Sequence, residues 1–281
     1  MPDETPDFRP LSLTRRIEDF PIGNLPLAGH QRRAIAASKL TAHPHAWLCG
    51  DDLAGFLAAG AATMAGPDQV PLAWHGAAPD PADVFAVKSS FLIRYPWDLL
   101  RANEHYVSHL AGNLIAGDIH PSAVVEGVIH LGEGSRILPG VFIEGNVVIG
   151  SGCKIGPNCY LRGSTSIGDS CHIGQSVEIK NCLILSKTNV GHLSYVGDSV
   201  LGENVNFGAG TTVSNLRHDG KNHRSEVDGA LIDTGRRKFG VIVGDGVHTG
   251  INTSIYPGRK LWPGTSTRPG EIVSRDLKSE I

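Results

Sequence analysis

A chain of 281 residues with a net charge of −3 has no wide basic field to draw in a nucleic-acid backbone. Glycine is abundant, at 35 residues, and aromatics make up only 6%, a balance that suits recurring tight corners around an aliphatic core. The acidic, proline-containing start Met1–Pro10 has no apolar run behind it, and the small-apolar stretch Leu53–Gly66 is too short to cross a bilayer, so a cytoplasmic protein with no membrane partner is expected.

Residues 1–115 show one kind of pattern. Helices are expected near Leu27–Leu40, Asp51–Ala65 and Pro96–Asn113, the last with Pro96 in its first turn. Gly66–Asp83 is rich in Pro, Gly and Asp and reads as loop. The expectation is a small α/β or helical N-terminal domain.

Residues 116–281 show another. Ile119, Val125, Leu131, Ile137, Ile143, Ile149, Ile155, Leu161, Ile167, Ile173 and Ile179 recur every six positions. Neither an α-helix nor an ordinary strand has that period, but a coiled sheet with three short faces per turn does. Residues 18 apart then stack. The register slips by one between Ile179 and Ile184, and again between Val196 and Leu201. A polar, charged insertion over 215–240 interrupts the repeat, which resumes at Val243, Thr249, Ile255, Leu261, Thr267 and Val273. One long loop in an ordered repeat suggests a working part.

Cys153, Cys159 and Cys171 share a repeat slot with Ala123, Ser135 and Thr165, so small size and packing explain them better than reactivity. With Cys49 and Cys182 the total is odd and lacks a CxxC pair, which speaks against a disulfide framework or zinc knuckle.

Most repeats from Ile149 onward carry Gly after the aliphatic anchor, but Arg162 and Lys180 occupy that slot and lie 18 apart. Two cations on neighbouring strands repel by roughly 1 kcal/mol even in water unless partnered. A phosphate would reverse the sign, and Arg suits it well; splaying into solvent, or neutralisation by Glu178, is the simpler alternative. His192, in Gly191–Tyr195, falls at a corner beside the slipped coils, where an imidazole is free to take a proton or to be an ordinary surface residue. Asn204, Asn206, Asn215, Asp219, Lys221 and His223 form a polar group just before and within the first part of the insertion. His218 and His223 are four apart, but no third ligand has a fixed spacing, and no metal is expected.

Together the coils, Arg162, Val177–Asn181, Gly191–Asp198, Asn204–Thr211, Thr234–Gly240 and Thr249–Asn252 resemble the left-handed β-helix acetyltransferases. The nearest likeness is to the glucosamine-1-phosphate N-acetyltransferase domain of archaeal-type bifunctional sugar-1-phosphate nucleotidylyltransferase/acetyltransferases. Tyr95–Leu100 with Ala102–Glu104 resembles the junction between the two halves of such proteins. Residues 1–94 lack the Gly-rich nucleotide loop, so this part is expected to be a reduced remnant or cap without nucleotidyl transfer.

The resemblance implies a left-handed coil, since parallel crossovers are otherwise right-handed. It implies acetyl-CoA-dependent N-acetylation of an amino-sugar 1-phosphate, glucosamine 1-phosphate foremost, in UDP-N-acetylhexosamine biosynthesis by a homotrimer. His192 would be the base; Arg162, Lys180 and Lys221 would hold the phosphate; Tyr195, Asn206 and Asn215 would orient the sugar and acetyl group. Ala209, Ile251 and Pro269 would contact acetyl-CoA. Leu216 and Ile251 depart from the Tyr and Ser of the bacterial members. Two alternatives are a non-catalytic sugar-phosphate-binding or regulatory trimer and a γ-carbonic-anhydrase-like metalloenzyme.

Overall fold

The computed structural model describes residues 7–278, which divide into two compact units. One comprises Arg15–Pro21 and Leu25–Arg94. It holds helices α1 (Leu27–Ile35) and α2 (Gly50–Ala59) with a four-stranded sheet ordered Leu40–Ala42, Pro71–His75, Thr63–Ala65, Val84–Ala86. This is the α/β form of the expectation. Helix α2 ends sooner than the sequence suggests because Gly60 takes a left-handed C-cap (φ 67°), which releases Thr63–Ala65 to pair with the sheet. Leu53, Phe56, Met64 and Leu72 fill its core. Part of the stretch expected as loop, Pro71–His75, is the sheet's longest strand.

Among the described residues, the other unit takes 7–14, Ile22–Asn24 and 95–278. Helix α3 (Asp98–Ser108) therefore belongs with the repeats, and the units part at Arg94/Tyr95 rather than near residue 115. The buried Asn103 of α3 explains this: it accepts from Gly23 N and Ser166 Oγ and donates to the Ser164 carbonyl.

The repeats form a parallel β-helix of three sheets. Among the described residues the first sheet has six strands, from Asp118–Ile119 to Asn206–Phe207; the second has eight, from Val124–Glu126 to Ile272–Val273. The third, also of eight, runs from Leu114–Ile115 to Arg259–Leu261. Each hexad gives one short strand and one corner, and the anchors point inward: Ile143, Leu161, Ile179, Val196 and Val213 are buried in one continuous core. Thr249 and Thr267 occupy anchor slots without loss, because their hydroxyls bond Thr211 and Thr253 at 2.8 and 2.7 Å.

Both register slips lie at the corner between the second and third sheets. Arg162 pairs with Lys180 at a spacing of 18, but Lys180 pairs with Gly197 at 17. Left-handed corner residues report the same shortening: Ser176 is followed by Asn181, and Leu193 by Asp198, each five later.

The insertion is not featureless. Arg224–Val227 and Ala230–Asp233 form an antiparallel hairpin turned by Asp228-Gly229, both at positive φ (46° and 80°). Asp-Gly is the strongest short-range signal for such a two-residue turn, and it was present in the sequence. Asn215 O accepts from Phe239 N at 3.1 Å, so the insertion leaves and re-enters the coil at one point. All five cysteines are buried and free; Cys182, fully enclosed, has its thiol pushed up to about 12 by burial, which fits packing rather than reactivity.

Candidate functional site

Arg162 and Lys180 stand on adjacent strands of the second sheet as direct Cα partners. Their charges are not left facing one another. Arg162 Nη2 meets Glu178 Oε1 at 2.8 Å, and Lys180 Nζ meets Asp198 Oδ2 at 2.9 Å. Of the alternatives the spacing left open, neutralisation is the one seen: each cation carries its own carboxylate. Glu178 serves Arg162 rather than Lys180, because it faces the same outer surface one coil up and two residues earlier.

Asp198 is the hub of the corner. Besides Lys180, it accepts from Asn181 Nδ2 (3.0 Å) and Asn215 Nδ2 (2.5 Å). Asn215 Nδ2 also donates to Tyr195 Oη at 3.0 Å. Burial, then Asp198 and Glu178, raise the Tyr195 phenol above its ordinary value, so it stays protonated. Arg162, Lys180, Tyr195 and Asn215 are therefore gathered on one face, around a carboxylate that sequence reasoning did not single out.

Gly197 makes that gathering possible. A Cβ there would lie 2.6 Å from both Asn215 Nδ2 and Tyr195 Oη. In the column holding Arg162 and Lys180, the position one coil further is empty of side chain, and Tyr195 and Asn215 lean into the space. Beyond it, a cavity of about 550 Å³ opens between Ser214, Leu216, His218, Tyr256 and Pro257.

His192 lies at the other edge of the same face. It ends its strand on the first sheet, and Leu193 (φ 50°) turns the corner toward Tyr195. Its side chain is exposed. Three further expected residues form a column with it. Gly210 N donates to His192 O, Asn252 N to Ala209 O, and Gly270 N to Ile251 O, so His192, Ala209, Ile251 and Pro269 occupy the same corner on successive coils.

Two expected residues stand apart. Asn206 lies on the first sheet, paired with Asn189. Lys221 lines a separate cavity with Arg217, Arg224 and Arg259, to which neither Arg162 nor Lys180 contributes. His218 and His223 do not converge either: His223 is buried with Nε2 donating to Asn215 O at 3.1 Å, while His218 lines the open cavity beyond Gly197. Among the described residues no group of three His, Cys, Asp or Glu side chains is arranged to hold a metal.

A family model described as the GMPPB C-terminal domain matches residues 143–259, a span that contains Arg162, Lys180, His192, Tyr195, Asn215 and Ile251 but not Pro269. The chain is 43% identical over 65 residues to a bifunctional sugar-1-phosphate nucleotidylyltransferase/acetyltransferase of Sulfurisphaera tokodaii, covering 23% of this chain and 16% of that one. It is 37% identical over 188 residues to the bifunctional protein GlmU of Methanococcus maripaludis, covering 67% of this chain and 45% of that one. The chain is similar to these bifunctional proteins over part of their length. It spans less than half the length of the curated relatives it matches. Among solved structures it is similar to the UDP-N-acetylglucosamine acyltransferase of Campylobacter jejuni, at 11% identity and a TM-score of 0.36, covering 59% of this chain and 68% of that one. Among the described residues, no helix is long and apolar enough to cross a membrane.

Proposed function

We propose that this chain is an acyltransferase that moves the acetyl group of acetyl-CoA to the amine of an amino-sugar 1-phosphate, glucosamine 1-phosphate being the first candidate. The observation that carries the reading is a single face bounded by two columns: Arg162 and Lys180 with Tyr195 and Asn215 at one edge, and His192 with Ala209, Ile251 and Pro269 at the other. The names of the relatives support the same chemistry.

In this reading the phosphate lies against Arg162 and Lys180, drawing them partly from Glu178 and Asp198. Tyr195 and Asn215 fix the sugar hydroxyls. The exposed imidazole of His192 takes a proton from the amine as its nitrogen bonds to the thioester carbonyl carbon; the C–S bond then breaks, and the CoA thiolate leaves with a proton. The backbone N–H of Ala209 would steady the charge that develops on the carbonyl oxygen.

Faces of a triangular prism diverge, so Asn206 on the first sheet does not reach the second-face cluster of its own chain. A homotrimer, in which Asn206 of one copy faces Tyr195 of another, completes the site. Such an enzyme would serve UDP-N-acetylhexosamine synthesis in the cytoplasm.

The test is release of CoA thiol from acetyl-CoA with glucosamine 1-phosphate and other amino-sugar phosphates. His192→Ala should lower kcat/KM by about 10²–10⁴-fold with the fold intact, since the side chain is exposed. No turnover by the wild-type protein on any amino-sugar phosphate would reject the function, and an unchanged rate in the variant would reject the base.

A further inference from the structure

Helix α3 reaches the Asp198 corner through a carboxylate that the acetyl-transfer reading leaves without a task. Glu104, in the second half of α3, takes a fork from Arg236: Nη1 donates to Oε2 at 3.2 Å, and Nη2 donates to Oε1. Oε1 also accepts from Asn181 Nδ2 at 2.5 Å. Arg236 is fixed in turn near the end of the insertion, its carbonyl oxygen accepting from His223 N at 2.8 Å.

Asn181 is the joint. Its one amide nitrogen carries two hydrogens, and each serves a different carboxylate: Glu104 Oε1, and Asp198 Oδ1 at 3.0 Å. With Oδ1 so engaged, Lys180 Nζ lies nearer Oδ2, at 2.9 Å against 3.3 Å. Asn215 Nδ2 shares that Oδ2. Two ion pairs, Arg236–Glu104 and Lys180–Asp198, are thus joined acid to acid by one neutral amide. Stability alone does not account for the fork. Arg236 Nε is buried and has no partner among the described residues, and a buried donor left without one opposes folding. Arg236 nonetheless aims both Nη groups at Glu104, which holds that carboxylate where Asn181 needs it.

We propose that Glu104 and Arg236 are positioning residues for the acceptor end of the site, acting through Asn181 on the Lys180–Asp198 pair. The role rests on the acetyl-transfer reading, in which Lys180 meets the phosphate. Glu104 orients the Asn181 amide, and Asn181 engages Asp198 Oδ1. Lys180 is then held mainly by one carboxylate oxygen, and its remaining N–H groups are left for the acceptor.

Steady-state thiol release by the full chain, with glucosamine 1-phosphate and acetyl-CoA varied in turn, tests it. Glu104→Gln sets an N–H against a donor of Arg236 or Asn181. It should raise KM for the amino-sugar phosphate by about fivefold or more, with kcat and KM for acetyl-CoA changed by less than about twofold. Arg236→Gln should do the same. Arg236→Lys, which keeps the charge with one contact fewer, should raise that KM by less, and it carries the test alone if the other variants unfold. Because the two residues act in series, the double variant should be no worse than the worse single one. An inactive wild type would reject the acetyl-transfer reading and this role with it. An active wild type whose variants keep its acceptor KM, or lose kcat and both KM values alike, would overturn the role alone. So would a double variant in which the two losses multiply. Thermal unfolding of each variant separates a shifted KM from a loosened fold.

Discussion

Asp198 holds the ammonium of Lys180 at 2.9 Å from a position where its own side chain is only 3% exposed. The same carboxylate accepts from Asn181 and Asn215, so one buried acid ties the Arg162–Lys180 column to the point where the insertion begins. Removing one member of a buried ion pair leaves the other uncompensated, at about 3–5 kcal/mol. Asp198→Ala is therefore expected to destabilise by about 3 kcal/mol or more, read as a fall in the calorimetric unfolding temperature. A change below about 0.5 kcal/mol would show that the hub does not hold the corner.

Gly197→Ala adds a single methyl group, yet it falls where Tyr195 Oη and Asn215 Nδ2 already lie. Gly197 is absent from the positive-φ positions, so the effect is steric and not conformational. One or both side chains must move, and kcat/KM for acetyl transfer should drop by about tenfold or more, since a misplacement of about 1 Å can cost about 10²-fold. Thiol-release kinetics check this; wild-type kinetics would mean that neither side chain needs its place.

Glu178→Gln tests whether Arg162 is held in reserve. The pair is about one-third exposed on each side, so its loss should cost under about 1 kcal/mol of stability. With its carboxylate gone, the guanidinium should hold phosphate better, lowering KM for the acceptor with little change in kcat. A raised KM would assign Glu178 to the sugar instead.

Acid should loosen the insertion. The His223 ring is held below its ordinary value of 6.5, chiefly by burial, with the bond to the Asn215 carbonyl pulling the other way. Below about 6.5 the unfolded chain takes up a proton that the folded one resists. This group's contribution is thus present above that value and is lost as pH falls through the lower folded one. His43 and His45 are also lowered by burial and add to the same trend. Unfolding temperatures should fall between about pH 6.5 and 5, and His223→Gln should flatten the slope; an unchanged slope would assign the effect elsewhere.

The coils were readable because a period of six admits few structures, and the anchors from Ile137 to Val213 are buried. Even the slips at Ile184 and Leu201 appear as pairings 17 apart. The pairing of Arg162 with Glu178 and of Lys180 with Asp198 was harder to see. It depends on where side chains lean after the corner shortens, and sequence spacing gives only which Cα atoms stack. Asn206 and Lys221 show the same limit: a linear motif does not say which face or cavity a residue joins. The first unit was least legible, since its described strands are two to five residues long and its alanines suit helix and sheet alike.

The corner that carries His192 rises one residue per coil, so distance along it comes in rungs of about 4.8 Å. An extended molecule lying there meets side chains at Ala209, Ile251 and Pro269 in turn, with no intermediate step. Selectivity for the length of that molecule can be adjusted by exchanging the residue on one rung or adding a whole turn, but never by a fraction of a turn.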